Sequence, residues 1–269
     1  MAEGGGAGPV GLITGTGLYE LDGLEDRAVE AVETPYGPAE VTSGRLEGVP
    51  VLHVPRHGRG HARLSHQVTP RATVAAIARM GAACLVSTTV CGAVDPALEL
   101  GSLVVFDDLH FPSNRLADGS LCTLFTSPEV AGRGHWIYER PFGEDVRAGL
   151  VAGARAAGFD VRDGGVYGHV DGPRLNSVSE IAGLAAAGVT CVSQTGGPET
   201  VLAGEARLPF ALIGFVTDHA NGVSAAPTPH ETLARLFGES AAIFQRALRA
   251  ALPGIAAGPG EPAGIVFAL

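Results

Sequence analysis

Short apolar runs alternate along this chain with segments of helical spacing. Residues 10–14 read as an opening strand that ends in Gly15-Thr16-Gly17. Residues 39–46 and 49–54 read as a strand pair turning at Glu47-Gly48. Residues 69–80 carry Val74, Ile77 and Ala78 on one helical face. Strand-like runs follow at 83–89 and 102–106, then an amphipathic helix at 144–157 and a strand at 165–170. A helix is expected at 177–187, and apolar strands at 189–193 and 210–216 flank another helix at 199–206. A last helix is expected near 230–251. Strands alternating with helices predict an α/β fold with a mainly parallel or mixed sheet and helices on both faces. No composition break or internal repeat divides the chain, so a single domain over residues 9–252 is expected. Residues 1–8 read as a flexible leader and 253–269 as a Gly/Pro-rich tail. The long irregular stretch at 111–141 reads as a surface insertion or an active-site lid.

Composition narrows the function classes. The 269 residues include 39 glycines and 18 prolines, but 46% are hydrophobic, which excludes disorder for the bulk of the chain. A net charge of −10 argues against a nucleic-acid partner, because such binding rests on Lys and Arg neutralising phosphates. No apolar run reaches the roughly 18 residues of a membrane span, and the first residues lack the basic start and apolar core of a signal peptide. The cysteines at 84, 91, 122 and 191 show no metal-ligand spacing, so free structural thiols in a cytoplasmic protein are expected, with no metal.

The chemistry gathers at five strand ends, where open α/β sheets bind ligands. Gly15-Thr16-Gly17 is either a plain turn or a close approach to an anion, with a hydroxyl and an N–H from Thr16. It lacks the third glycine of a dinucleotide fingerprint, since Glu20 stands there. Arg56-His57-Gly58-Arg59-Gly60-His61 is a solvated basic loop or an anion pocket, with arginine offering a planar fork and histidine a further donor. The 87–93 run is either a strand end that turns at Gly92 or a site wall, with Thr89 as a candidate phosphate donor and Val90, Cys91 and Gly92 as a flat surface for a planar ring. The 193–199 run feeds a helix whose N-terminus favours an anion. Asp218 ends the apolar 210–216 strand and is either a cap or a half-buried acid with a raised pKa, able to protonate a ring nitrogen.

Taken together and in order, these motifs resemble the trimeric purine nucleoside phosphorylases, in the methylthioadenosine or methylthioinosine phosphorylase branch. The carriers are GTGL at 15–18, TPYG at 34–37, RHGRGH at 56–61, TTVCGAV at 88–94, GPRLNSVSE at 172–180, QTGGPETVLA at 194–203 and TDHANG at 217–222. The resemblance implies a nucleoside phosphorylase-like fold with a partly barrel-like central sheet. It implies phosphate-dependent cleavage of a purine nucleoside to free base and ribose 1-phosphate through an oxocarbenium-like transition state. Inorganic phosphate would be a co-substrate, with no organic cofactor, and the assembly would be a homotrimer whose neighbouring subunit closes the 5′ side of each pocket. Carried over by position, Thr16, Arg56, His57, Thr89, Thr195 and the N–H of Val90 would hold phosphate. Gln194 would lie against the ribose. Cys91, Gly92, Leu175 and Ser193 would line the purine, and Asp218 would share a proton at N7.

Three departures bear on the substrate. The family usually has Met where Gln194 stands, and Gln can hydrogen-bond a sugar hydroxyl directly. The adenine-accepting branch usually has Asp-x-Asp, whereas Ala220 removes the second carboxylate here. Leu175 keeps an apolar wall but loses the aromatic stacking often found after GPR. His230 resembles a family histidine near the 5′ position, against the plain reading of a surface residue in a first helical turn. The substrate expected is 5′-methylthioadenosine or a related 5′-modified adenosine. A 6-oxopurine nucleoside is the alternative, and a nucleoside-binding protein without ordinary turnover the reading from a different class.

Overall fold

The computed structural model describes residues 8–268. The leader expected at 1–8 therefore lies outside the described residues except for its last position. In chain order the first elements are β1 (Val10–Thr14), β2 (Glu25–Val32), β3 (Ala39–Leu46), β4 (Val49–Pro55), α1 (Pro70–Arg79) and β5 (Cys84–Ala93). Next come β6 (Leu103–Val105), β7 (Asp108–His110), β8 (Gly134–Ile137), α2 (Glu144–Ala156), β9 (Val161–Asp163) and β10 (Val166–His169). The chain continues through α3 (Val178–Ala186), β11 (Cys191–Ser193), α4 (Gly196–Glu205), β12 (Phe210–His219), α5 (His230–Ala257) and β13 (Ile265–Ala268).

Strands β4, β1, β5 and β12 lie side by side and parallel at the centre of an 11-stranded mixed sheet. Their apolar runs are buried on both faces, as a parallel core requires. Glu47 and Gly48 both adopt positive φ, the geometry of a tight two-residue turn, and so set the β3–β4 register. Helices α1 and α4 cover one face through Val74, Ile77, Leu202 and Ala203. Helices α2 and α5 cover the other through Val146, Leu150, Phe244 and Leu248. Gly153 lets α2 and α5 approach, since a Cβ there would fall about 2.5 Å from the Cβ of Ala251.

The sheet branches at β5. One arm runs β12–β6–β9 and the other β11–β10–β7, and the path curls without forming a closed barrel among the described residues. Three regions differ from the hydrophobic pattern. The helix expected to stop near 251 continues to Ala257 through Pro253, because Leu252 and Ile255 are buried against α2. The expected tail also contains β13, which pairs antiparallel with β8 from the irregular 111–141 stretch. Strand β2 was not foreseen: it is an edge strand with seven of its eight residues exposed, so it carries no apolar alternation. All four cysteines are free and buried. Among the described residues no helix is long and apolar enough to cross a membrane.

Candidate active site

Strand β5 has two different neighbours on one edge. It pairs with β1 as far as Ser87 and with β11 only from Gly92 onward. Residues 88–91 thus face a gap in the sheet, the kind of switch point at which open sheets hold ligands. Side chains cap the carbonyls along this gap: Arg56 Nη1 donates to Thr88 O at 2.6 Å, and Ser193 Oγ donates to Val90 O at 2.8 Å. A strand residue presents its N–H and C=O to the same edge, so the Val90 N–H also faces the gap. A cavity of about 330 Å³ opens here. Thr16, Arg56, His57, Thr89, Val90 and Thr195 line it, as do Cys91, Gly92, Leu175, Ser193, Gln194, Asp218 and Ala220. His230 does not: it is exposed at the start of α5, and Phe237, two turns along the same helix, reaches the cavity instead.

At the end of the cavity lined by Arg56, the guanidinium is almost fully engaged. Its Nε and Nη2 form a bidentate pair with Glu199 of α4 at 2.7 and 2.8 Å, and both side chains are 3% exposed. Nη2 also donates to Ser87 Oγ, which in turn donates to Glu199 Oε2 at 2.6 Å. A guanidinium has five N–H groups, and these bonds leave one, on Nη1. A Cβ at Gly15 would stand 2.6 Å from that nitrogen, so Gly15 is needed for the approach of Arg56 rather than of a ligand. The next glycine, Gly17, has φ +88° and turns the chain under α5.

His57 corrects an expectation. Its Nδ1 lies 2.9 Å from the Arg63 carbonyl, which can only accept, so Nδ1 carries the proton. Burial, and then the neighbouring Arg56, lower its pKa to about 4. The neutral ring therefore presents Nε2 as an acceptor, suited to a protonated phosphate oxygen or a hydroxyl and not to a bare oxyanion. The ring stacks on His61 at 4.4 Å, and Tyr19 Oη holds His61 Nδ1 at 2.9 Å.

The start of α4 differs as well. The Gly196 N–H donates to the Tyr167 hydroxyl at 2.9 Å, so that helix-terminal donor is already satisfied. Thr195 is the N-cap but makes no capping bond with its side chain, which leaves its hydroxyl for the cavity. Thr89 Oγ1 is 3.0 Å from both Val90 O and Ser193 Oγ, and must turn from them to donate to a ligand.

At the opposite end, a β-bulge in β12 sets Asp218. Val216 pairs with Cys91 and Asp218 with Gly92, leaving Thr217 as the extra residue that re-aims the carboxylate. Thr217 Oγ1 donates to Asp218 Oδ1 at 2.9 Å. Oδ2 faces Gly92, where a Cβ would stand 3.3 Å away. Burial raises the Asp218 pKa, outweighing the Thr217 hydrogen bond and the charge of His219. His219 itself points elsewhere, with Nε2 3.1 Å from Leu98 O. Ala220 is buried beside Gly92, while Leu175 stays 71% exposed at the cavity rim. Gln194 bridges outward, accepting from Ser65 Oγ at 2.7 Å and donating to Arg174 O at 3.0 Å.

Sequence reasoning missed His61, Leu64, Ser65, Asn176, Thr217 and Phe237, all of which line the cavity. His61 lay in a quoted motif and Thr217 beside Asp218, so proximity was a usable signal. Phe237 gave none, because its helical position looks like any core aromatic. No group of three or more His, Cys, Asp or Glu side chains among the described residues is placed to hold a metal ion.

Comparison with known proteins gives a consistent result. The family model described as the phosphorylase superfamily matches residues 9–253. An S-methyl-5′-thioadenosine phosphorylase of Cereibacter sphaeroides is 35% identical over 78% of this chain and 71% of its own length. A probable 6-oxopurine nucleoside phosphorylase of Korarchaeum cryptofilum is 34% identical, covering 81% of this chain and 82% of that one. Among solved structures, the methylthioadenosine phosphorylase of Schistosoma mansoni in complex with adenine superposes with a TM-score of 0.83 at 26% identity, covering 93% and 92% of the two chains.

Proposed function

The chain belongs to the phosphorylase superfamily, and from that premise we propose that it cleaves the N-glycosidic bond of a 5′-modified adenosine, 5′-methylthioadenosine being the substrate of choice, with inorganic phosphate as the attacking group. The observation that carries this reading is Asp218: a half-buried carboxyl with a raised pKa, bonded on Oδ1 and open on Oδ2 toward the flat Gly92 wall. Such a group can place a proton on the departing purine at N7 while a lone pair accepts from a 6-amino group.

Phosphate would lie at the gap beside the last Arg56 N–H, the Thr16 and Thr195 hydroxyls and the Val90 N–H, with His57 accepting from its P–OH. Bringing phosphate beneath C1′ while Asp218 supports the base supplies orientation and charge stabilisation together. Phe237 and Leu64 add apolar surface to the cavity lining, which suits a 5′-methylthio group. His230 has no part in this reading.

A second reading, a 6-oxopurine nucleoside, is favoured by Ala220, which offers the base no second carboxylate. We further propose a cytoplasmic homotrimer: Leu64 and Leu175, 46% and 71% exposed at the cavity mouth, are apolar surface that a neighbouring subunit would cover. A panel of nucleosides varied at the 6- and 5′-positions, with and without phosphate, tests the substrate. Release of adenine from methylthioadenosine at least tenfold faster than of hypoxanthine from methylthioinosine is expected. The reverse order would overturn the adenosine reading in favour of the 6-oxopurine one.

A further inference from the structure

Gln194 stands between two assignments. Ser193 before it is tied to the Val90 carbonyl at the base wall, and Thr195 after it turns its hydroxyl to the phosphate end. Gln194 lines the same cavity between them, where the sugar that joins base to attacking phosphate would have to pass. Its amide is held at two points by segments distant in sequence: the Ser65 hydroxyl donates to Oε1 at 2.7 Å, and Nε2 donates to the Arg174 carbonyl at 3.0 Å. Gly172 admits this arrangement, because a Cβ there would overlap both Gln194 Oε1 and Ser65 Oγ. The Ser65–Gln194 pair also borders a second cavity of about 630 Å³ as well as the candidate site, and so forms the partition between the two.

A primary amide has two N–H groups and two acceptor positions. The two bonds occupy one of each. One N–H and one lone pair remain, and their directions are fixed because the rest of the amide is held. An apolar side chain of the same length would offer neither. Resting on the phosphorolysis reading above, we propose that Gln194, braced by Ser65 and Gly172, reads the hydroxyl edge of the sugar, and that the protein thereby selects ribonucleosides over their deoxy counterparts. Without the hydroxyl, a half-buried amide loses water and gains no partner, a penalty that makes sites built around a hydroxyl strongly selective.

Calorimetric binding of adenosine, 2′-deoxyadenosine and 3′-deoxyadenosine to the intact protein, beside a turnover assay with phosphate, tests this. The wild type is expected to bind adenosine roughly a hundredfold more tightly than at least one deoxy analogue, and the analogue affected identifies the hydroxyl read. Gln194→Met should narrow that ratio tenfold or more, and Ser65→Ala should narrow it in the same direction by loosening the amide. Equal affinities in the wild type, or a ratio unchanged in both variants, would overturn the proposal. Ribose-selective binding without phosphate-dependent cleavage would instead overturn the phosphorolysis reading and leave this one standing.

Discussion

Glu199 is a buried carboxylate and Asp218 a half-buried one, and their surroundings give them opposite work. Glu199 faces the Arg56 fork and the Ser87 hydroxyl, so its charge is matched on the spot. Among the described residues no cation lies within salt-bridge distance of Asp218, and burial pushes its pKa upward. A raised carboxyl pKa means the acid form persists to higher pH and is lost as pH rises through that value. Activity carried by that proton is therefore expected to fall on the alkaline side, with the fall absent in Asp218→Asn. The same variant should lose on the order of a hundredfold to ten-thousandfold in kcat/KM on adenosine-type substrates, the usual range for a positioned acid. A pH profile of kcat/KM for both proteins checks the pair, and an unchanged Asp218→Asn profile would remove Asp218 from the chemistry. The sequence revealed this residue because a carboxylate at the tip of an unbroken apolar strand is conspicuous. It did not reveal that Thr217 is a bulge residue, since a bulge depends on pairing with β5.

Helix α4 positions Arg56 through its buried face, while its terminus is already bonded within the fold. Its first N–H is bonded to Tyr167, whereas Glu199, one turn in, fixes Arg56. Glu199→Gln keeps the shape but leaves the guanidinium without its countercharge. Breaking a buried pair this way costs about 3–5 kcal/mol, so the unliganded variant should melt lower. Phosphate would then supply the missing negative charge and raise Tm by more than in wild type. Thermal melts over a phosphate series check this; an equal or smaller rise in the variant would contradict it. Periodicity located α1, α2, α3, β3, β4 and β5 to within a few residues or better, because each has a buried stripe or a sharp turn. It missed β2, β7 and β9 at the sheet edges and the two-stranded β8–β13 pair, short or exposed strands that neither alternation nor burial marks. The full reach of α5 was hidden too, since only its packing on α2 carries it past Pro253.

At the scale of the molecule, the sheet gap along β5 draws its wall from both halves of the chain. Thr16, Arg56 and Thr89 come from the first ninety residues, while Ser193, Gln194, Thr195 and Asp218 come from the last eighty. The identities of these side chains were legible as polar residues at strand ends, and only the fold fixed which atoms remain free. His57 is the plainest case: it was expected to donate, and the Arg63 carbonyl makes it an acceptor. The proposed trimer would cover the apolar mouth at Leu64 and Leu175, so sedimentation equilibrium should return three times the chain mass, and a monomer at micromolar concentration would contradict it. The central claim is that phosphate attacks the sugar, and phosphorus NMR of the protein with 5′-methylthioadenosine and inorganic phosphate tests it most directly. The account predicts that the phosphate signal declines as a sugar 1-phosphate ester signal grows, with adenine released in equal amount. Adenine release without a phosphate ester, or no release at all, would contradict it.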